Sequence, residues 1–155
     1  MTFQITPLDA ELFAHIPSMS DQQLAAANID RQVVSAFPGT PCRVTLDDAT
    51  VGETVYLLNW THLPEGSPYQ ASHAIFFRPD RKAFTPKPGE IPPVLTRRPI
   101  SIRGYNSAHR MIDAQLAEGD AIADAIAQMF EIDAVEYIHL HNAKPGCFAA
   151  KVVRA

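Results

Sequence analysis

The sequence predicts an α+β fold, a mostly antiparallel sheet with hairpins, covered by one or two helices. Three observations carry that expectation. Short β-branched and aromatic stretches recur along the chain, among them "TVYLLNWTHL", "HAIFF" and "ISIRGY". "GDAIADAIAQMF" places Ile122, Ile126, Met129 and Phe130 on one helical stripe. The last segment, "VEYIHLHNAKPGCFAAKVVR", reads as two strands around a turn of Asn, Pro and Gly.

Taken in order, "FQITPL" is a short strand with Phe3 and Ile5 on one face. "SDQQLAAANI" is a short helix, with Ser20 as N-cap and Gln23 completing a capping box. "FPGTP" interrupts the chain. "CRVTL" then alternates Cys42, Val44 and Leu46 against Arg43 and Thr45, which predicts a half-buried strand pairing with "TVYLLNWTHL" across a turn. On such a strand Arg43 and Cys42 face opposite ways, and Asp47 and Asp48 are turn residues. "HAIFF" is the next strand. Six prolines between residues 79 and 99 predict an extended crossing segment. "ISIRGY" and "HRMIDAQL" are further strands, and the helix beginning after Asp120, its expected N-cap, leads to the final hairpin. Strand–helix–strand order over residues 110–141 suggests a crossover within one sheet.

The 155 residues predict a single compact domain, and the 46% hydrophobic and 19% charged content is that of a globular protein. No apolar run approaches the roughly 20 residues of a membrane span, and the opening residues lack the pattern of a secretory leader. The expectation is therefore a cytoplasmic protein with Cys42 and Cys147 as free thiols and no membrane partner. Net charge is −4, yet residues 78–110 hold eight basic and two acidic side chains. Neighbouring carboxylates are expected to neutralise that segment, and the acidic remainder argues against nucleic-acid binding.

"PGTPCRVTLDDATVGETVYLLNW", "SPYQASHAIFFR", "RGYN" and "HLHNAKPGCFAAKVVR" resemble a bacterial domain-of-unknown-function family, number twelve hundred and three. The resemblance runs through nearly the whole chain. It implies one compact bacterial domain and brings no activity, substrate or cofactor. At His73 the chain departs from the small residues expected there.

His139 and His141 alternate with Ile138 and Leu140, so the two imidazoles share one strand face. With a five-residue loop from Asn142 to Gly146, His141 faces Cys147 and His139 faces Ala149, while Phe148 joins the apolar face. An imidazole beside a thiol favours thiolate nucleophile or acid–base chemistry, so Cys147, His141 and His139 are the candidate catalytic residues. Arg43, Arg103 and Tyr105 are the candidate binders of a small anionic ligand. Zinc on His139, His141 and a cysteine is the weaker pattern, lacking a paired-cysteine or His-Glu-x-x-His motif, and no metal or cofactor is assigned. A structural reading competes with all of these: histidines on a solvated face and a small, partly buried cysteine. His15 and His62 read as surface residues near loops. The alternative function is a binding domain without chemistry, forming a homodimer through a sheet edge or the proline-rich segment.

Overall fold

The computed structural model describes residues 2–64 and 66–155. Its strands are β1 (Phe3–Thr6), β2 (Asp30–Val33), β3 (Thr54–Leu63), β4 (Ala71–Phe77), β5 (Ile100–Tyr105), β6 (Met111–Ala117), β7 (Tyr137–Asn142) and β8 (Phe148–Arg154). Helices are α1 (Asp21–Ala26), the single turn α2 (Pro93–Thr96) and α3 (Ala121–Met129), with two 3-10 turns before α1. The strands form a five-stranded sheet ordered β1-β8-β7-β5-β6 and a three-stranded sheet ordered β2-β3-β4. Every pairing between strands is antiparallel, so the α+β expectation holds. β6 and β7 share the larger sheet with β5 between them, and α3 makes the crossover.

Local chemistry explains most elements. The Ser20 hydroxyl accepts from the Gln23 amide while the Gln23 side chain accepts from the Ser20 amide, the predicted capping box. α3 buries Ile122, Ala125, Ile126 and Met129, and Phe130 follows them into the core. Asp120 holds the cap position but makes no side-chain capping bond; its backbone is helical (φ −69°, ψ −22°), not extended as a capping side chain needs. The apolar stripe packs on one face of the larger sheet, against Ile100, Ile102, Ile138, Leu140, Ala150 and Val152. Gly104 lets α3 come close: a Cβ there would stand 2.7 Å from Met129 Sδ.

The first predicted hairpin is not formed. Residues 43–45 turn, and Leu46 has φ +48°, a left-handed conformation that ends any strand. Cys42 N–H donates to the Asp47 carbonyl and Ala49 N–H to the Thr40 carbonyl, closing the loop on itself. Its alternation is real but serves two cores: Cys42 and Val44 join the cluster around Phe13, whereas Leu46 joins the one beneath α3. Arg43 is as buried as Cys42, at 2% and 1% exposed, so they do not divide between a core and a solvent face. β3 pairs instead with β2, whose four residues are all exposed and therefore carry no hydrophobic alternation.

The basic segment is neutralised in part: four of its eight cations are held by three carboxylates among the described residues. Arg78 and Arg81 bind Glu53; Arg97 binds Asp47 and Asp48; Arg98 binds Asp48. Asp48 is thus a fully buried ion-pair acceptor and more than a turn residue.

Candidate functional site: a cationic cleft backed by a histidine layer

In the final hairpin His141 pairs with Phe148, whereas Leu140 pairs with Ala150 and His139 with Lys151. The register shift inserts one extra residue, Ala149, as a β-bulge. Cys147 therefore does not stand opposite His141, and Phe148 lies on the histidine face, not the apolar one. Its ring stacks on His62 with centroids 5.1 Å apart and meets His139 edge-on at 5.0 Å. The sequence pattern hid the bulge because Phe148 is apolar and buried in either register.

The thiol has other neighbours. Arg43 Nη2 donates to Cys147 Sγ at 3.0 Å, and Asn142 Nδ2 donates at 3.4 Å. The guanidinium is anchored by Nε to the Phe148 carbonyl (2.7 Å) and by Nη1 to the Pro41 carbonyl. Burial pushes Arg43 below the ordinary arginine value, and the two cysteines oppose that push. No carboxylate hydrogen-bonds it among the described residues, and Cys147 Sγ is the one side chain there that accepts from it. Cys147 and Arg43 lie in the wall of a cleft of about 510 Å³, within the range of small-molecule sites. His73, Arg97, Arg98, Lys144 and Asn142 line it too. Asn142 is 3% exposed and its Oδ1 has no hydrogen-bond partner among the described residues.

Behind the cleft lies a layer that sequence reasoning saw only in part. His139 and His141 are 3% and 0% exposed, not on a solvated face, because the end of the smaller sheet covers them. His62 sits at a register shift between Thr61 and Leu63, a bulge that re-aims its side chain. Its Nε2 lies 2.9 Å from His73 Nδ1 and its Nδ1 lies 3.2 Å from His139 Nδ1. The His62 and His73 rings stack at 4.8 Å, and both meet the His141 ring edge-on. His62 is thus half-buried in this layer, not a free surface residue. The signal was the "THLPEGSPYQASH" segment, a hairpin that returns His73 beside His62.

All four imidazoles are held neutral. Burial is the main cause: His62 falls to about 4, His139 to about 2 and His141, despite its Gly146 hydrogen bond, to about 3. All three are helped by neighbouring rings and Arg103, and burial lowers His73 too, helped by Arg103 and Arg43. His141 Nδ1 lies 3.0 Å from the Gly146 carbonyl, which can only accept, so Nδ1 carries the proton and Nε2 is a bare lone pair. That Nε2 is buried without a partner among the described residues, at a cost of about 1–3 kcal/mol.

Arg103 and Tyr105 belong to this layer and not to the cleft wall. Arg103 pairs with His139 across the sheet, and its Nε donates to Ser101 Oγ at 3.1 Å. Tyr105 is 1% exposed and stacks on Tyr137 at 5.4 Å. The expected single site is thus split: Cys147 and Arg43 in the cleft, His139, His141, Arg103 and Tyr105 behind it. His73 belongs to both. His109 joins neither, its Nδ1 lying 2.9 Å from the Tyr137 hydroxyl.

A family model described as a protein of unknown function, DUF1203, matches residues 39–154. No curated protein and no solved structure matches the chain. Among the described residues, no helix is long and apolar enough to cross a membrane.

Proposed function

Because the chain belongs to the DUF1203 family, whose description assigns no activity, we propose a function from the cleft itself: it binds a small anionic molecule and presents Cys147 to it. One observation carries this reading, the Cys147 thiol 3.0 Å from a buried guanidinium in the cleft wall. Four cations line the cleft, and the two carboxylates that bind Arg97 and Arg98 offset only two of them. A ligand with a carboxylate, phosphate or sulfate group supplies the missing charge. The unpartnered Asn142 Oδ1 favours a ligand that also carries an N–H or O–H donor. Arg43 offers positive charge to any negative charge that develops on the sulfur, which suits thiol nucleophilic chemistry.

The test is labelling of Cys147 with an aromatic disulfide reagent, alongside melting curves in inorganic phosphate and small carboxylates. The expected result is labelling that an anion slows, with a rise in melting temperature that Lys144→Ala reduces. If no anion alters either measurement, and Cys147→Ala melts like the parent in every one, the reading fails.

A second reading, association without chemistry, rests on the outer strand β6, where Ile112 and Leu116 are exposed. The partner on this reading is a second copy of the chain. Sizing tests it: a strict monomer at high concentration removes it.

A further inference from the structure

We propose that His62, His73 and His141 form a binding site for a divalent first-row transition ion, with zinc as the reference metal. One nitrogen from each ring can be chosen so that the three lie within 4.8 Å of one another. Geometry of this kind occurs without metals; what sets this cluster apart is the state of its nitrogens.

His141 is the strongest evidence. Its proton is committed to the Gly146 carbonyl, which leaves Nε2 as a buried lone pair with no donor to meet it among the described residues. A metal-binding histidine has this pattern: one nitrogen on a carbonyl, the other on the ion. His62 repeats it. When Nε2 serves the ion, its Nδ1–H donates to His139 Nδ1 at 3.2 Å, so His139 is a positioning residue and not a ligand. His73 Nδ1, now 2.9 Å from His62 Nε2, is the third donor. Neutral rings suit the role, because a protonated imidazole offers no lone pair.

The donor set selects the metal. Among the described residues the donor set is three imidazoles and no carboxylate, which suits zinc and its neighbours and does not suit magnesium or calcium, which require oxygen ligands. Three protein ligands also leave a coordination position for water or an anion. His73 lies in the cleft wall, so the ion is reached from the cleft. Arg43 and Arg103 lower the charge the site tolerates, and an anionic fourth ligand offsets that. The inference stands apart from the thiol reading above, since Cys147 is not in the donor set.

The experiment uses untagged full-length protein stripped with a chelator, titrated with zinc in a calorimeter and with cobalt in a spectrophotometer. A single ion per chain is expected, with visible cobalt bands and no thiolate-to-cobalt band in the near ultraviolet. His73→Gln and His62→Gln each weaken binding roughly tenfold or more, as does His139→Gln through His62, whereas His15→Gln and Cys147→Ala leave it unchanged. Two results overturn the proposal. One is binding no tighter in the parent than in the His62→Gln/His73→Gln double variant. The other is a near-ultraviolet cobalt band that Cys147→Ala abolishes, which moves the metal to the thiol. Circular dichroism of each variant separates a lost ligand from a lost fold.

Discussion

The two faces of the five-stranded sheet are both covered and built from opposite chemistry, the apolar one completely and the other with Arg103 half-buried and Lys151 exposed at its margin. One face carries Ile100, Ile102, Ile138, Leu140, Ala150 and Val152 beneath α3. The other carries Arg103, Tyr105, Tyr137, His139, His141 and Phe148 beneath the end of the smaller sheet. Burial of the first face stabilises the fold directly. Burial of the second costs free energy unless every polar atom finds a partner. At His141 Nε2 it has not found one among the described residues, which a purely structural layer has no reason to keep.

The comparison breaks most readily at Leu140. Leu140→Ala empties the apolar face and is expected to cost about 2–5 kcal/mol by urea unfolding while leaving zinc affinity untouched. If zinc binding falls in step with stability, the two faces are not independent.

Acid acts on the other face. In zinc-free buffer, His62, His139 and His141 have folded values of about 4, 2 and 3, below the ordinary 6.5. Their contribution is present above pH 6.5. It is lost as pH falls, because the unfolded chain takes up protons that the folded one refuses. Each group adds at most about 1.4 kcal/mol per pH unit, and the charges of Arg103 and Lys151 reinforce the effect by disfavouring protonation in the fold. The unfolding midpoint should therefore decline from near pH 6.5, well before the carboxylates titrate. A midpoint flat between pH 7 and 5 would show that the layer admits protons freely.

A smaller effect is expected at Gly104. Its added Cβ in Gly104→Ala would meet Met129 Sδ at 2.7 Å and Val135 Cγ2 at 3.0 Å, on the apolar side. Met129 can yield, so the cost is about 1–3 kcal/mol, with the zinc isotherm unchanged. Smallest in stability is His139→Gln, about 0.5–1.5 kcal/mol for one lost hydrogen bond, with a shallower acid decline. A loss as large as that of Leu140→Ala would make His139 a packing residue.

The apolar face was legible in the sequence and the other only half so. The stripe of α3 and the alternation of Ile138 and Leu140 each point to one buried side, and both pack as read. The same alternation puts His139 and His141 together but is silent on what covers them, and solvent was the wrong cover. Two bulges account for the remaining gap. At Ala149 a bulge moved Phe148 to the histidines and left Cys147 to Arg43; at His62 another brought a loop-end residue into the layer. A bulge depends on the partner strand, which local periodicity does not record. The loop at 41–49 fails for a related reason: its alternation divides between two cores, so the pattern of a strand appears without one.

The most direct measurement is the melting temperature of chelator-stripped protein with and without a molar excess of zinc, in the parent and in His73→Gln. An ion that binds only the folded chain raises its stability in proportion to the logarithm of its excess over Kd. A rise in the parent that grows with zinc concentration and is absent in His73→Gln is the predicted result. A parent whose melting is indifferent to zinc, or a rise that His73→Gln keeps in full, would contradict the claim that the histidine layer is built to hold an ion.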